Sequence, residues 1–202
     1  MNKELLLKEL EYARQANESL PHWKKAALEN ARKVEIKLGY IEDNQGKKKQ
    51  MGTINFYGRS LPYFEFSNFL RDYPIELKGK SWPSTEHYFQ AQKFQDDELQ
   101  EEIRQAKTPA IAANMGRDRK NPLRKDWESV KDNVMRVAVR AKFTQHPELK
   151  QLLINTGDAK LIEHTYKDNY WGDGGDGSGK NMLGIILMEV RKELKEQDGR
   201  VW

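Results

Sequence analysis

The amino-acid sequence predicts an α+β fold in which helix predominates. Three observations support this prediction. From Ser84 onward most of the chain places apolar residues at helical spacing, short runs upstream are rich in strand-forming residues, and a glycine-rich stretch at 167–180 precedes the last helical segment. The predicted helical segments fall near residues 84–95, 97–106, 109–115, 126–144, 147–154 and 181–196.

The strands predicted ahead of these helices are few and short. Residues 53–57 read as a strand, residues 64–69 as a second extended segment, and residues 75–77 as a strand that enters a turn. Further upstream, residues 1–38 carry the apolar stripes of two helices, and the polar residues 42–50 are typical of a linker. We therefore expect a helical extension and linker over residues 1–50 and one domain over residues 51–202.

Composition excludes several classes of function. The 202 residues carry a formal net charge of +4, which suits an anionic ligand, and no cysteine, which removes disulfides, thiolate metal sites and cysteine nucleophiles. The four histidines show no metal-ligand spacing, so no metal is expected. No apolar run approaches the length of a membrane span, and we expect a cytoplasmic protein without a membrane partner.

The segment 82–94 is the most informative part of the chain. Pro83 and Ser84 are typical of a helix start. Glu86, Gln90 and Lys93 follow at spacings that place them on one helix face among aromatic residues. A carboxylate and an ammonium on a partly buried helix are costly unless something uses or pairs them. The pattern indicates either a functional site or an internal Glu86–Lys93 ion pair.

The glycine-rich loop resembles a phosphate-binding loop only formally. Residues 174–180 match G-x-x-x-x-G-K, but Asn181 stands where a magnesium-binding Ser or Thr is needed, and no hydrophobic strand precedes the loop. The carboxylate spacing of a calcium loop is also missing. Glycines still allow close approach of a ligand to the backbone, and the loop runs into a helix N-terminus that favours anions. A plain surface loop is the alternative.

A basic cluster surrounds the predicted end of the helical segment at 109–115. Arg117, Arg119, Lys120 and Arg124 lie close together in sequence. Arginine can hold phosphate through two parallel hydrogen bonds, whereas a solvated run of charge is the simpler interpretation. The sequence leaves both open.

The order of these motifs resembles a known family. The chain carries Ile54-Asn55-Phe56-Tyr57, Phe66-Ser67-Asn68-Phe69, the segment from Trp82 to Phe94, Met115-Gly116-Arg117-Asp118-Arg119, Pro122 through Lys131, Met135, Ala141-Lys142-Phe143, Leu161-Ile162-Glu163-His164, Tyr170 through Gly175, Asn181 and Leu183-Gly184. This arrangement, from about residue 53 to residue 195, is similar to the NADAR superfamily and, within it, to the YbiA-like N-glycosidases. The first fifty residues lie outside the resemblance.

The resemblance implies cleavage of an N-glycosidic bond without a cofactor. YbiA-like members release ribose phosphate from phosphoribosylamino-pyrimidine intermediates of riboflavin synthesis, and other NADAR proteins remove ADP-ribose from guanine in nucleic acid. We expect the small-molecule phosphoribosyl substrate first, because the run Leu123-Arg124-Lys125-Asp126-Trp127 and its continuation follow the YbiA-like pattern. An ADP-ribosyl substrate on nucleic acid is the alternative. A nucleotide-binding module without catalysis, or a partner-recruiting role for the N-terminal helices, are rival hypotheses.

By motif match, the resemblance also gives site residues. Glu86 is the expected catalytic carboxylate, and the helix dipole favours its ionised form. Lys93 would hold phosphate, pair with Glu86 or form a Schiff base, and Asp168 would act as an acid or bind a sugar hydroxyl. Core packing is the alternative for the tryptophans, above all for Trp127. The expected substrate-binding residues are Asn68, Phe69, Trp82, His87, Gln90, Arg117, Arg124, Trp127, Trp171, Gly172 and Asn181.

Overall fold

The computed structural model describes residues 52–59 and 61–198. The predicted N-terminal helices and the linker at 42–50 lie outside the described residues. The described part is α+β and mostly helical, as predicted. Its elements are β1 (Thr53–Phe56), a short 3-10 helix (Phe64–Phe66), β2 (Ile75–Leu77), β3 (Lys80–Trp82), α1 (Thr85–Ala91), α2 (Asp97–Arg104), α3 (Pro109–Arg117), α4 (Trp127–Gln145), α5 (Pro147–Asn155), β4 (Lys160–Glu163) and α6 (Met182–Asp198).

Two small sheets frame the helices. β1 pairs in parallel with β4, with Thr53 opposite Lys160 and Phe56 opposite Glu163. β2 and β3 form an antiparallel hairpin. Its turn residues, Lys78 and Gly79, have φ values of 54° and 71°, the left-handed conformations that a two-residue hairpin turn of type I′ requires. The predicted turn after residues 75–77 is therefore present.

Helix α4 separates two apolar clusters and contributes to both. Met135, Val139 and Phe143 belong to a cluster that includes β1, β4, α5 and α6. Ala138 and Ala141 belong to a second cluster, formed with the β2–β3 hairpin, α1, α2 and α3. The interleaved positions follow from helical periodicity, since residues three or four apart share a face. α4 thus joins the element that carries the candidate carboxylate, α1, to the parallel sheet.

Local capping explains where several helices begin. Asp96 precedes α2, and its Oδ1 accepts hydrogen bonds from the Glu98 and Leu99 N–H groups at 2.9 and 3.0 Å. Thr108 precedes α3, and its Oγ1 accepts from the Ile111 N–H at 3.2 Å. These side chains satisfy donors that have no partner within the first turn of a helix.

The segment 64–69 is not the extended segment that its composition predicts. Residues Phe64–Phe66 form a 3-10 helix, preceded by Tyr63 at a φ of 62°. Phe66 packs edge-on against Phe56 and Phe143, with ring centroids 5.6 and 5.9 Å apart. Aromatic residues favour strands only where a pleated surface can receive them. Here their rings anchor a turn to the core instead.

Other boundaries also differ from the predictions. The strands β3 and β4, of three and four residues, are absent from the predictions made from the sequence. The first helix ends at Ala91 rather than near residue 95, so Lys93 lies in the turn that follows it. Among the described helices, none is long and apolar enough to cross a membrane.

The packing of α6 gives a prediction about stability. Leu187 is fully buried in the apolar cluster around the parallel sheet, whereas Ile185 on the same helix is 36% exposed. We expect Leu187→Ala to lower the free energy of unfolding by about 2–5 kcal/mol, because truncation leaves a cavity. The matched change Ile185→Ala should lower the free energy of unfolding by about 1 kcal/mol or less. Urea titration followed by circular dichroism measures both, and equal losses would contradict the described burial.

Candidate active site

The N-terminus of α1 places Glu86 inside the protein. Ser84 caps the helix, with its Oγ accepting from the His87 N–H at 3.4 Å. The Glu86 N–H donates to the Asn68 carbonyl at 3.2 Å, and the Glu86 side chain is 6% exposed. Gln90 Nε2 donates to Glu86 Oε1 at 2.7 Å. The carboxyl and the amide thus lie on one helix face, one turn apart.

The charge of Glu86 is set by opposing influences. Burial is the strongest and raises the pKa of its carboxyl above the ordinary value, because the ionised form loses water. The hydrogen bond from Gln90 and the positive charges of Lys93 and Arg117 lower the pKa, and the negative charge of Asp168 raises it. Burial is the largest of these influences, so the pKa of Glu86 lies above its ordinary value although the helix dipole favours the ionised form.

Lys93 reaches the same site from the turn after α1. Its Nζ donates to the Gly116 carbonyl at 3.3 Å and lies 5.6 and 5.9 Å from the ring centroids of Phe89 and Trp127. Burial lowers the pKa of Lys93 to about 8, with the charge of Glu86 opposing the shift. The two side chains attract each other, but no ion pair within 4.0 Å joins Glu86 and Lys93. The interpretation as a simple internal ion pair is therefore wrong.

Gln90 fits against the backbone of α3. A Cβ added to Gly116 would overlap the Gln90 carboxamide oxygen, Oε1. That oxygen is buried and accepts no hydrogen bond from any described residue. Buried polar atoms almost always have a partner, so this oxygen is an exception, and only the amide nitrogen of Gln90 faces Glu86.

Asn68 holds the start of α1 in place. Thr85 Oγ1 donates to Asn68 Oδ1 at 2.9 Å, and Asn68 Nδ2 donates to Met135 Sδ at 3.3 Å. Both side-chain ends of Asn68 are thus engaged within the protein, next to the backbone that binds Glu86. The neighbouring Phe69 is 36% exposed, so its ring is accessible to a ligand.

Lys142 of α4 contacts the turn that contains Ser67 and was not identified as a site residue from the sequence. It is 2% exposed, and its Nζ donates to the Ser67 carbonyl at 2.9 Å. Burial lowers the pKa of Lys142 to about 7. Lys142 lies between Ala141 and Phe143 in the sequence, and this pattern indicates only an apolar helix face. It gives no signal that an ammonium group is buried there.

The glycine-rich loop brings Asp168 towards Glu86. Asp168 Oδ1 accepts from the backbone N–H groups of Tyr170 and Trp171, both at 2.8 Å. The other carboxylate oxygen, Oδ2, accepts no hydrogen bond from the described residues. The negative charge of Asp168 acts on the carboxyls of both Glu86 and Glu163.

Gly172 allows the loop to close on β4. A Cβ there would lie 2.9 Å from the carbonyl oxygens of both Asp168 and Glu163 and 2.6 Å from Thr165 Cγ2. Any side chain would force these segments apart. Gly172 therefore acts through its small size, and the loop is folded on itself rather than arranged as an open phosphate cradle.

Asn181 also holds the glycine-rich loop against β4. Its Oδ1 accepts from the Glu163 N–H at 2.9 Å, and its Nδ2 donates to the Leu161 carbonyl at 2.8 Å. Asn181 has a φ of 53°, a left-handed conformation that Asn tolerates better than most residues. Both polar ends of this side chain bind β4, so the structure gives it a scaffolding role instead of the expected ligand contact.

The aromatic candidates differ in exposure. Phe89 lies between Trp127 and Trp171, with ring centroids 5.1 Å from each. Trp127 is 5% exposed and Trp82 is 2% exposed, and the Trp82 indole donates to the Leu77 carbonyl at 3.0 Å. These two tryptophans pack in the core. Trp171 is partly exposed and stays available for stacking.

His87 has no ring nitrogen left for a ligand. Its Nδ1 lies 2.7 Å from Ser84 Oγ, and its Nε2 lies 3.0 Å from the Ala106 carbonyl oxygen. The ring is fully buried, and burial lowers the pKa of His87. The neutral ring therefore fastens the α1 cap to the segment after α2, and the expectation that it contacts substrate is not supported.

The basic candidates lie at the edge of the site. Arg117 is exposed at the end of α3, and its charge acts on both Glu86 and Lys93. Arg124 is paired with Asp126 through bonds of 2.6 and 2.8 Å, and its backbone N–H donates to the Lys93 carbonyl at 2.9 Å. Arg117 is thus available to an anionic group, whereas Arg124 mainly positions the turn that carries Lys93.

Glu163 joins the site and was missed by the sequence reasoning. It ends β4, and burial together with the charges of Asp168, Glu86 and Asp173 raises its pKa to about 8. The residue lies in the quoted motif Leu161 to His164, but it is distant in sequence from Glu86, so local patterns do not show that the two carboxyls influence each other. Over residues 52–59 and 61–198, no three His, Asp or Glu side chains form a group able to hold a metal ion.

The arrangement combines two carboxyls and two cations in one region of the fold. Glu86 can stabilise positive charge or take a proton from water, and a carboxyl that stays protonated near neutral pH can give a proton. Lys93 and Arg117 supply positive charge for an anionic group. Trp171 and Phe69 offer aromatic surface for a flat ring.

Comparison with known proteins supports the family resemblance found in the sequence. The NADAR domain model matches residues 55–195. N-glycosidase YbiA of Escherichia coli is 61% identical over 141 residues, covering 70% of this chain and 88% of that protein. A riboflavin biosynthesis protein of Vibrio vulnificus is 47% identical over 145 residues, covering 71% of this chain and 39% of that protein.

A solved structure agrees as well. The NMR structure of E. coli YbiA superposes with a TM-score of 0.71 at 55% identity, covering 79% of this chain and 94% of that one. The family model spans α1, β4 and the glycine-rich loop. The chain therefore belongs to the NADAR family.

Proposed function

We propose that the protein hydrolyses the N-glycosidic bond between ribose phosphate and an aminopyrimidine. The observation that carries this proposal is the buried Glu86, bound by Gln90 and faced by Lys93 and Arg117. The protein is a hydrolase of N-glycosyl bonds, in agreement with the N-glycosidase name of its E. coli relative. The Vibrio relative is named for riboflavin biosynthesis, which supports a phosphoribosylamino-pyrimidine as substrate.

The chemistry requires a carboxylate at the sugar. As the C–N bond stretches, positive charge builds on the anomeric carbon and its ring oxygen, while the departing nitrogen gains negative charge. Glu86 in its ionised form stabilises that cation and takes a proton from the water that adds to the anomeric carbon. Gln90 fixes the carboxylate, because its amide is held by the backbone of Gly116 on one side.

The remaining residues bind and orient the substrate. Lys93 and Arg117 are placed to attract the phosphate, and Asp168 offers its Oδ2 to a sugar hydroxyl. Trp171 and Phe69 are the rings accessible enough to stack on the pyrimidine. Asn68 and Gly172 contribute by holding α1 and the glycine-rich loop in position.

We propose that residues 51–202 form the catalytic unit and that residues 1–50 are an extension to it. The support is that the matched region, residues 55–195, includes every residue assigned above. The YbiA match likewise accounts for 88% of a protein that is an N-glycosidase by name.

Replacing the carboxylate tests the function. We expect Glu86→Gln to lower kcat about a hundredfold to ten-thousandfold, because the amide neither accepts the proton nor balances the cation. Release of ribose phosphate from a phosphoribosylamino-pyrimidine, detected by mass, measures it. Glu102→Gln, an exposed glutamate on α2, is the control and should retain full activity. Wild-type turnover by Glu86→Gln would remove Glu86 from the mechanism.

The contact between Gln90 and Gly116 gives a second test. In Gly116→Ala the new Cβ displaces the Gln90 carboxamide, which loosens its bond to Glu86. We expect kcat/KM to fall at least about tenfold, which corresponds to a rise of about 1.4 kcal/mol in the activation free energy. Gly58→Ala is the matched control, since a Cβ at Gly58 meets nothing within 4 Å. Equal activity of both variants would show that Gln90 does not position Glu86.

Truncation tests the domain proposal. A chain that begins at Met51 should be monodisperse by size-exclusion chromatography and should hydrolyse the aminopyrimidine substrate as fast as the full chain. An insoluble or inactive product would show that residues 1–50 belong to the catalytic unit.

A further inference from the structure

The carboxyl of Glu163 is the one side chain of the site without an assigned task. Its backbone is held on both sides: the N–H donates to Asn181 Oδ1 at 2.9 Å, and the carbonyl accepts from the Asp173 N–H at 3.0 Å. Its carboxyl, in contrast, makes no hydrogen bond or ion pair with any described residue. The fold thus fixes the backbone of Glu163, whereas its carboxyl has no hydrogen-bond partner among the described residues.

The charged groups that act on the Glu163 carboxyl are all acidic. Glu86 approaches from α1, and Asp168 and Asp173 approach from the glycine-rich loop. Of these, Asp173 is engaged by His164, whose Nδ1 lies 2.7 Å from Asp173 Oδ2. No cation among the described residues acts on the Glu163 carboxyl.

The two glutamates differ in the groups that favour an ionised carboxyl. Glu86 receives a hydrogen bond from Gln90 and the attraction of Lys93 and Arg117, whereas Glu163 has no such support. When two neighbouring carboxyls cannot both be charged, the proton stays on the one without donors or cations. For Glu163 this outcome agrees with a pKa raised to about 8, mainly by burial.

A further buried group beside Glu86 has no partner within the described residues. Gln90 is 4% exposed, and its Oε1 has no donor although its amide nitrogen binds Glu86. That oxygen lies against the backbone of Gly116 on α3. The amide nitrogen is therefore the end of Gln90 that faces the carboxyl site.

We infer that Glu163 is the general acid that protonates the departing nitrogen, opposite in role to Glu86. The inference rests on the proposed function and adds to it the source of the catalytic proton. It makes the site a pair of carboxyls, one ionised and one protonated, held on α1 and at the end of β4.

The step balances as follows. The C–N bond breaks and its electron pair goes to the nitrogen, which takes the proton of the Glu163 carboxyl and leaves as an amine. The oxygen of water bonds to the anomeric carbon, and Glu86 takes the proton that this water releases. Glu163 ends as a carboxylate and Glu86 as an acid, and exchange with solvent returns the proton before the next turnover.

The first test needs no substrate. Side-chain carbon-13 NMR of labelled glutamate, with the Glu163 signal assigned by its loss in Glu163→Gln, follows the protonation of this carboxyl directly. We expect a midpoint near pH 8. Titration at about 4.3, the ordinary value for glutamate, would overturn the inference whatever the activity of the protein.

The second test uses hydrolysis of the phosphoribosylamino-pyrimidine. Glu163→Gln should lose about a hundredfold or more in kcat with KM changed only a few-fold, because the acid acts on the transition state. The control Glu102→Gln should match wild type. A Glu163→Gln variant as active as this control would overturn the inference and leave the proposed function intact. A wild-type protein that releases no ribose phosphate would instead contradict the proposed function.

The pH profile separates Glu163 from Lys93. Below about pH 8 the Glu163 carboxyl holds a proton that it can donate, and donation is lost as pH rises through about 8, so kcat should fall on the alkaline side. Lys93 loses its charge over the same range. Since arginine stays charged, Lys93→Arg should keep the alkaline fall, and Glu163→Gln should lack it. The opposite pattern would assign the fall to Lys93 and overturn the inference.

Discussion

The hydrogen bond from Gln90 to the buried carboxyl of Glu86 is the interaction on which the site depends. It spans one turn of α1 and requires that the helix lie against α3 with no side chain at Gly116. The same helix is fixed at its start by Ser84, Asn68 and Thr85. Removing a carboxyl from water is unfavourable, and these contacts hold it in one geometry while it stays reactive.

The elements around α1 are arranged to support that burial. Lys142 reaches from α4 to the Ser67 carbonyl, next to the residue that binds the Glu86 backbone. On the opposite side, Asn181 and Gly172 fold the glycine-rich loop onto β4. Two carboxyl-bearing segments that are distant in sequence are thereby brought to a common site. The loop matters less for phosphate binding than for this closure.

The burial of Glu163 also affects stability. Its pKa is raised on folding, so between roughly pH 4, where a glutamate in the unfolded chain ionises, and pH 8 the folded state holds a proton that the unfolded state releases. The unfolded state binds fewer protons in this window. The contribution of Glu163 to stability therefore falls as pH rises from 4 to 8, a cost typical of sites that keep a carboxylic acid neutral.

Local patterns were enough to predict much of the fold. The positions of α4 and α6 follow from apolar spacing, and the place of Glu86 and Gln90 on one face follows from helix geometry. What local patterns could not give depends on distant partners. Glu163 and Glu86 are 77 positions apart in the sequence, and the charge of Glu86 acts on Glu163 only in the folded chain.

The same limit applies to expected ligand-binding residues whose polar groups have partners within the protein. The His87 ring lies within hydrogen-bond distance of the Ala106 carbonyl, and the Trp82 indole donates to the Leu77 carbonyl. The Asn181 side chain binds the backbone of β4. Each of these residues has a polar group that is typical of binding sites. Which partner satisfies it is decided by tertiary packing, and motif spacing carries no information about that.

The most direct test of this account is hydrolysis by the purified full chain, with mass detection, of two substrates side by side. One is a phosphoribosylamino-pyrimidine, and the other is DNA that carries ADP-ribosylated guanine. The account predicts release of ribose phosphate and aminopyrimidine from the first alone. Release of ADP-ribose from the DNA, with no action on the pyrimidine, would contradict the proposed substrate, and action on neither would favour a binding role without catalysis.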